Sequence, residues 1–393
     1  VSGSVCAPSR AGFLTGRYGS RFGFAHNLSR PDYIQPEYAG IPLDEPLVSD
    51  RLKALGYRTG LIGKWHAGES VEGHHPVARG FDHFFGMLKG SHPYFPTPEK
   101  NKLSRGRDKV TEIRVPYLTD WFTLDALDFI RSDGESDEPW FLYLSYNTPH
   151  SPMQAKEEDL EAFAHIQPKA RQAYCAMQHC MDQNIGLLLA ELEARGEREN
   201  TLIVFISDNG GSVEVSHAIN APLRGTKGTF LEGGIRVPTI YSWPAKLKPS
   251  VYDEPVISLD FMATFVTAAG GTPPPVGVRT ERKGRGTKNG PIYDSLDLVP
   301  YFQGLKRDPP HETLFWRTAL DARDPDAAET TNLSSQPPEV AESLIAERLA
   351  WELTCERSPM FMSGAYWSGY NARLYAKQYP LTQPAPVNRE KLW

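Results

Sequence analysis

Short stretches of this sequence carry side chains able to do chemistry. Near the start, Val5-Cys6-Ala7-Pro8-Ser9-Arg10 reads as the opening of a helix. Pro8 suits a first turn, where its missing N–H costs nothing, and Gly16 suits the helix end. A cysteine there lies at the positive end of the macrodipole, beside unpaired N–H groups that favour a thiolate or a bound oxyanion. Arg10 adds a fixed cation one turn later. Further on come Gly63-Lys64-Trp65-His66, Asn147-Thr148-Pro149-His150, Asp208-Asn209-Gly210-Gly211 and Gly225-Thr226-Lys227. Singly, each has a plain structural reading: a small buried cysteine, a solvated lysine, loop histidines, a turn.

The elements that position them change the balance. Leu47, Val48, Leu52 and Leu55 form a helical stripe that stops at Gly56. Residues 57–62 read as a strand, and residues 69–115 as mostly loop, long enough to be functional. Thr119 caps a helix carrying Trp121, Phe122, Leu124, Leu127 and Ile130. Residues 140–146 are an apolar, aromatic strand. A long helix starts near Pro168, carries Tyr174, Met177, Met181, Ile185, Leu188 and Leu192 as core residues, and closes at Gly196. Residues 201–207 are the clearest buried strand, 235–243 another, and a helix runs from Ser258 or Asp260 to Ala269. Alternating strands and helices predict an α/β fold, a largely parallel sheet flanked by helices on both faces. Three strand exits then release Lys64 and His66, His150, and Asp208 and Asn209 at one sheet edge, where open α/β sheets bind ligands.

Bulk properties narrow the class. The chain has 393 residues, 42 basic against 48 acidic, for a net charge of −6. That gives no electrostatic case for a nucleic-acid partner. No apolar run reaches a membrane span. Four cysteines (Cys6, Cys175, Cys180 and Cys355) are too sparse for a disulfide framework, and no C-x-x-C spacing suggests a cysteine metal site.

The run Cys6-x-Pro8-Ser9-Arg10 with Thr15-Gly16-Arg17 resembles the signature of the formylglycine-dependent (type I) sulfatases of the alkaline phosphatase superfamily. Gly63-Lys64-Trp65-His66 is similar to the family's second motif, Asp208-Asn209-Gly210-Gly211 to its metal motif, and Gly225-x-Lys227 with 232–238 to its lysine motif. The resemblance implies that Cys6 is oxidised by a maturation enzyme to formylglycine, whose hydrate attacks sulfur. It implies that Arg10 and His66 hold the hydrate, Lys64 and Lys227 grip the sulfate oxygens, and His150 protonates the leaving oxygen. Cys6, Asp208 and Asn209 would ligate one Ca²⁺ ion. The chemistry is consistent: lysines and a divalent cation stabilise charge on the equatorial oxygens, and a histidine acid serves the leaving group.

The implied substrates are sulfate esters, chiefly of sulfated sugars, with the aromatic and His-rich loop over 69–94 placed to stack on and hydrogen-bond a glycan. By family analogy the protein is periplasmic or secreted. In this family two acids on a strand upstream of the cysteine motif complete the metal site. Only five residues precede Cys6 and no Asp-Asp pair occurs, so the chain reads as N-terminally truncated. Residues 1–245 are then a catalytic domain lacking its first strand. Residues 246–393 are its end plus a smaller, divergent C-terminal subdomain, with a helix over 338–354 and an aromatic tail at Tyr366, Trp367, Tyr370, Tyr375 and Tyr379. Two alternatives stand beside the sulfatase: a phosphomonoester or phosphonate hydrolase on the same fold, and a non-catalytic glycan-binding protein.

Overall fold

The computed structural model describes residues 1–28, 36–132, 138–277 and 291–316, with positions 343, 346–348, 350, 351, 354 and 355. The chain folds as α1 (Cys6–Thr15), α2 (Val48–Ala54), β1 (Arg58–Lys64), β2 (His83–Met87), β3 (Leu103–Arg105), β4 (Asp108–Lys109), α3 (Leu118–Arg131) and β5 (Trp140–Ser145). There follow α4 (Glu157–Ala162), α5 (Lys169–Ala194), β6 (Ile203–Ile206), α6 (Val213–Ser216), α7 (Glu232–Ile235), β7 (Thr239–Ser242) and α8 (Asp260–Ala268). The first helix starts at Cys6 and stops as its sequence predicts: Gly16 is left-handed (φ 68°) and returns its N–H to Gly12 O.

The main sheet has the order β4-β3-β2-β1-β5. Its centre, β2-β1-β5, is parallel, and β3 and β4 extend it antiparallel. Successive side chains point to opposite faces, so Leu61 and Phe84 pack with α1, α2 and Met262 of α8, while Ile62 and Phe85 pack under α3. Each fully buried phenylalanine contributes about 2–3 kcal/mol. The α/β architecture with both faces covered is therefore as expected. The helix α8 packs on α1 and α2, so the chain continues the same layer beyond residue 245.

At the carboxyl end of the sheet the backbones close tightly. A Cβ at Gly63 (φ 109°) would lie 2.0 Å from Ser145 O, and one at Gly86 would lie 1.9 Å from Gly63 O. Only glycine fits there.

Three expectations need correcting, and one holds with a qualification: residues 69–115 are mainly loop, but contain the short strands β2, β3 and β4. Covered on both faces, β2 shows the unbroken run Phe84-Phe85-Gly86-Met87 instead of alternation. Thr119 does not cap α3; Tyr117 is the N-cap, and Thr119 Oγ1 instead shares a hydrogen bond with Thr148 Oγ1 at 2.9 Å. Lys64 closes β1 rather than following it. Finally, β6 is not a buried strand of the parallel sheet. It pairs antiparallel with β7, and Phe205 is 37% exposed.

Both β5 and β6 line one cavity of ≈ 1860 Å³, into which Met181, Ile185 and Leu188 of α5 also project. Those three are half-buried, unlike Met177, which is in the core as expected. Apolar composition alone cannot separate a cavity wall from a closed core. No helix among the described residues is long and apolar enough to cross a membrane. The aromatic tail, and most of the helix expected over 338–354, lie outside the described residues.

Candidate active site

Cys6 is 1% exposed, at the first turn of α1. The loop after α6 brings Lys227 to it, with Nζ 3.1 Å from Cys6 Sγ. That loop is stitched on both sides: Lys227 N–H donates to Gly211 O, Gly228 N–H to Ser4 O, and the Asn220 amide to Gly211 O and Gly225 O. Burial alone would raise the Cys6 thiol. The charges of Lys227 and Lys64, with hydrogen bonds from His150 and His66, reverse this and hold it well below its ordinary range. The position therefore stabilises a negatively charged atom.

The two lysines differ. Burial pulls Lys64 down, opposed by Cys6 and helped by Arg10. For Lys227 burial acts the same way, but Cys6 and Asp208 outweigh it and the net shift is upward. His66 has φ 56°, a strained left-handed backbone for a residue with a side chain. Its N–H donates to Leu88 O, and its ring lies where a Cβ on Gly90 would be, 2.7 Å away. Burial drops its pKa to about 4, so it is neutral at physiological pH. His150 lines the cavity, and its Nδ1 faces Ser151 O at 2.7 Å. Nδ1 therefore carries hydrogen, and Nε2 is the atom available for chemistry.

Arg10 joins three parts of the chain. Its Nε donates to Asp208 Oδ2 at 2.8 Å, and Nη2 lies 2.8 Å from the same oxygen. Its Nη1 faces Lys64 O at 2.9 Å, Tyr143 OH at 2.8 Å and Ser145 Oγ at 2.5 Å. Lys64 Nζ stands 4.0 Å from Asp208 Oδ2. Asp208 thus joins the other strand exits through Arg10, since β6 shares no ladder with the main sheet.

The structure brings together Cys6, Arg10, Lys64, His66, His150, Asp208, Asn209 and Lys227 around one cavity. As donors for a metal, Asp208 and Asn209 fit in part. The Asn209 Oδ1 atom is buried without a hydrogen-bond partner, and Asp208 supplies a carboxylate. Both are hard oxygen donors suited to calcium, which takes six to eight oxygens, so they form only part of a ligand set. No group of three or more His, Cys, Asp or Glu side chains among the described residues could hold a metal ion.

Tyr143 and Ser145, which hold Arg10, escape a reading of the sequence. Their signal is modest: two polar groups, two residues apart and so on one face, near the end of an apolar strand. Ser9 Oγ and Asn147 Oδ1 are likewise buried, unpaired and at the cavity wall. The aromatic side chains of 69–94, expected to stack on a glycan, do not line the cavity. Phe81, Phe84, Phe85 and Tyr94 are core residues, and Gly90 and Ser91 are what the loop contributes to the cavity. Aromatic content signalled packing there, not recognition.

The α/β fold thus places a buried cysteine at a helix N-terminus among two lysines, two histidines and an Asp-Asn pair. The chain belongs to the sulfatase family: the family model described as Sulfatase matches residues 1–271. It is 35% identical to arylsulfatase J of Mus musculus over 276 residues, 68% of this chain and 45% of that protein. It is 29% identical to the sulfatase YdeN of Escherichia coli (strain K12) over 342 residues, 81% of this chain and 56% of the other. The chain thus spans about half the length of these curated relatives. The crystal structure of Ps i-CgsB in complex with k-i-k-neocarrahexaose superposes with a TM-score of 0.78 at 29% identity, covering 96% of this chain and 88% of that one.

Proposed function

We propose that this chain carries the active site of a sulfuric ester hydrolase for sulfated sugars, working in the periplasm or after secretion. One observation carries the reading: Lys227 Nζ, Lys64, His66 and His150 converge on the buried Cys6 sulfur at a helix N-terminus. Similarity to Ps i-CgsB, solved in complex with k-i-k-neocarrahexaose, supports the sugar class. When Cys6 is matured to formylglycine, its hydrate supplies the attacking oxygen. Lys227 and Lys64 bind the equatorial sulfate oxygens and stabilise the charge that grows there. His66, neutral, orients the hydrated group, and Arg10 holds Lys64 and Asp208 in register. In its imidazolium form His150 keeps Nδ1–H on Ser151 O and passes its Nε2 proton to the leaving oxygen as that oxygen's bond to sulfur breaks. Asp208 and Asn209 would hold the calcium ion, which adds positive charge beside the sulfate.

Two measurements test this. With 4-nitrophenyl sulfate and 4-nitrophenyl phosphate as paired substrates, the full protein is expected to prefer the sulfate by at least about tenfold in kcat/KM, or roughly 1.4 kcal/mol. A phosphate preference would replace the reading with a phosphohydrolase, and turnover of neither substrate by matured protein would favour a glycan binder. Dialysis against a chelator is expected to remove about 10²-fold of the sulfate turnover, restored by calcium. Unchanged turnover in metal-free protein would remove calcium from the scheme.

A further inference from the structure

Tyr94 is 0% exposed and does not line the cavity, yet it grips the segment that carries His150. Its phenol lies 2.7 Å from Asn147 O and 2.9 Å from His150 O, so one O–H is shared between the carbonyls at the two ends of a tight turn. The turn itself closes by His150 N–H donating to Asn147 O at 2.8 Å. Tyr94 is fixed in turn. Its N–H donates to Gln154 Oε1, its carbonyl accepts from Leu118 N–H at the start of α3, and its ring stacks on Tyr117 at 5.8 Å. The Tyr117 phenol then donates to Gln154 O. Burial pushes the Tyr94 phenol far above its ordinary range, which keeps it an O–H donor.

The consequence concerns ring orientation. His150 has its Nδ1 tied to Ser151 O, the carbonyl of its own neighbour. Where Nε2 points therefore follows the backbone of 147–151, which the Tyr94 hydroxyl ties at the carbonyls of Asn147 and His150, while Thr119 Oγ1 holds the Thr148 side chain. We propose that Tyr94 is a positioning residue for His150, holding Nε2 on the line of the leaving oxygen. This rests on the sulfatase reading, in which the Nε2 proton goes to the leaving oxygen as the S–O bond breaks.

The test is Tyr94→Phe in the full protein, checked for folding by circular dichroism. Tyr117→Phe is a control that frees Gln154 O without touching the turn. A misplaced acid matters most for poor leaving groups. Turnover of phenyl sulfate is expected to fall about tenfold in kcat with KM nearly unchanged, and that of 4-nitrophenyl sulfate by less than about twofold. The control should lower both alike or neither. Equal losses on the two substrates in Tyr94→Phe would show a merely structural role and overturn the proposal. A readout independent of turnover separates this from failure of the sulfatase reading. In ¹⁵N spectra of histidine-labelled protein, the His150 signal, assigned by its loss in His150→Ala, should report hydrogen on Nδ1 in the parent and a tautomer mixture in Tyr94→Phe. An unchanged His150 ring in Tyr94→Phe would overturn the proposal whatever the substrate proves to be.

Discussion

Changing Cys6 to alanine in the full protein is expected to cut sulfate release by on the order of 10⁴-fold or more while leaving the fold in place. The side chain lost is small, and α1 is held by Ala7, Ala11 and Leu14 rather than by the sulfur. A buried cysteine shortened to alanine costs about 1 kcal/mol in a site of this kind, too little to unfold the layer. The chemistry, by contrast, has no substitute. Lys227 and Lys64 would still bind sulfate, so the variant should keep substrate affinity and lose kcat, the signature of a missing transition-state contact. Ion chromatography of released sulfate measures the first quantity, and isothermal titration with a sulfated oligosaccharide the second. Mass spectrometry of the Cys6 peptide from active protein should find the aldehyde in place of the thiol. Retained sulfate release in the alanine variant would sink the mechanism.

The second large effect belongs to Arg10. Arg10→Met keeps length and apolar stem but removes the guanidinium that meets Asp208, Lys64 O, Tyr143 and Ser145. Breaking one partner from a buried ion pair costs about 3–5 kcal/mol, because the other charge and the carbonyl are left desolvated and unpaired. Lys64, 4.0 Å from the Asp208 carboxylate, offsets some of this but cannot reach all the acceptors. Urea unfolding followed by circular dichroism should show the midpoint move down accordingly. Activity should fall by about 10³-fold even in buffer where the variant is fully folded, since Asp208 and Lys64 both lose their register. A midpoint shift worth under about 1 kcal/mol would mean that Asp208 reaches the site by some other route.

How much of this was legible beforehand follows from what each signal encodes. Cys6, Lys64, His66, His150, Asp208 and Lys227 stand out because motif spacing and strand exits are local properties, written within a few residues. The α1 boundaries were equally plain, for Pro8 and Gly16 are backbone instructions. What stayed hidden is relational. That β6 pairs with β7 and not within the main sheet depends on which edges meet, and residues 203–206 are apolar in either case. β2 went unseen because a strand covered on both faces lacks alternation, and its histidine- and glycine-rich flanks resemble loop. Tyr94 looked like a ligand platform for the same reason: an aromatic side chain in sequence does not say whether it faces solvent or a backbone carbonyl.

The glycine contacts at the sheet end bear on how this site could be re-engineered. Gly63 meets Ser145 O, and Gly86 meets Gly63 O, at distances no side chain tolerates. One wall of the site is therefore a fixed datum of three locked backbones, with Lys64 at its end and Ser145 under Arg10. Altered specificity will not come from that wall, where any added carbon spreads the strands and shifts several functional groups at once. The rim at Ser91 and Ile219, both exposed and lining the cavity, carries no group of the mechanism and can be recut in side chain. A library confined to that rim should yield folded variants far more often than one that includes position 63 or 86, and the ratio of soluble clones from the two libraries would measure it.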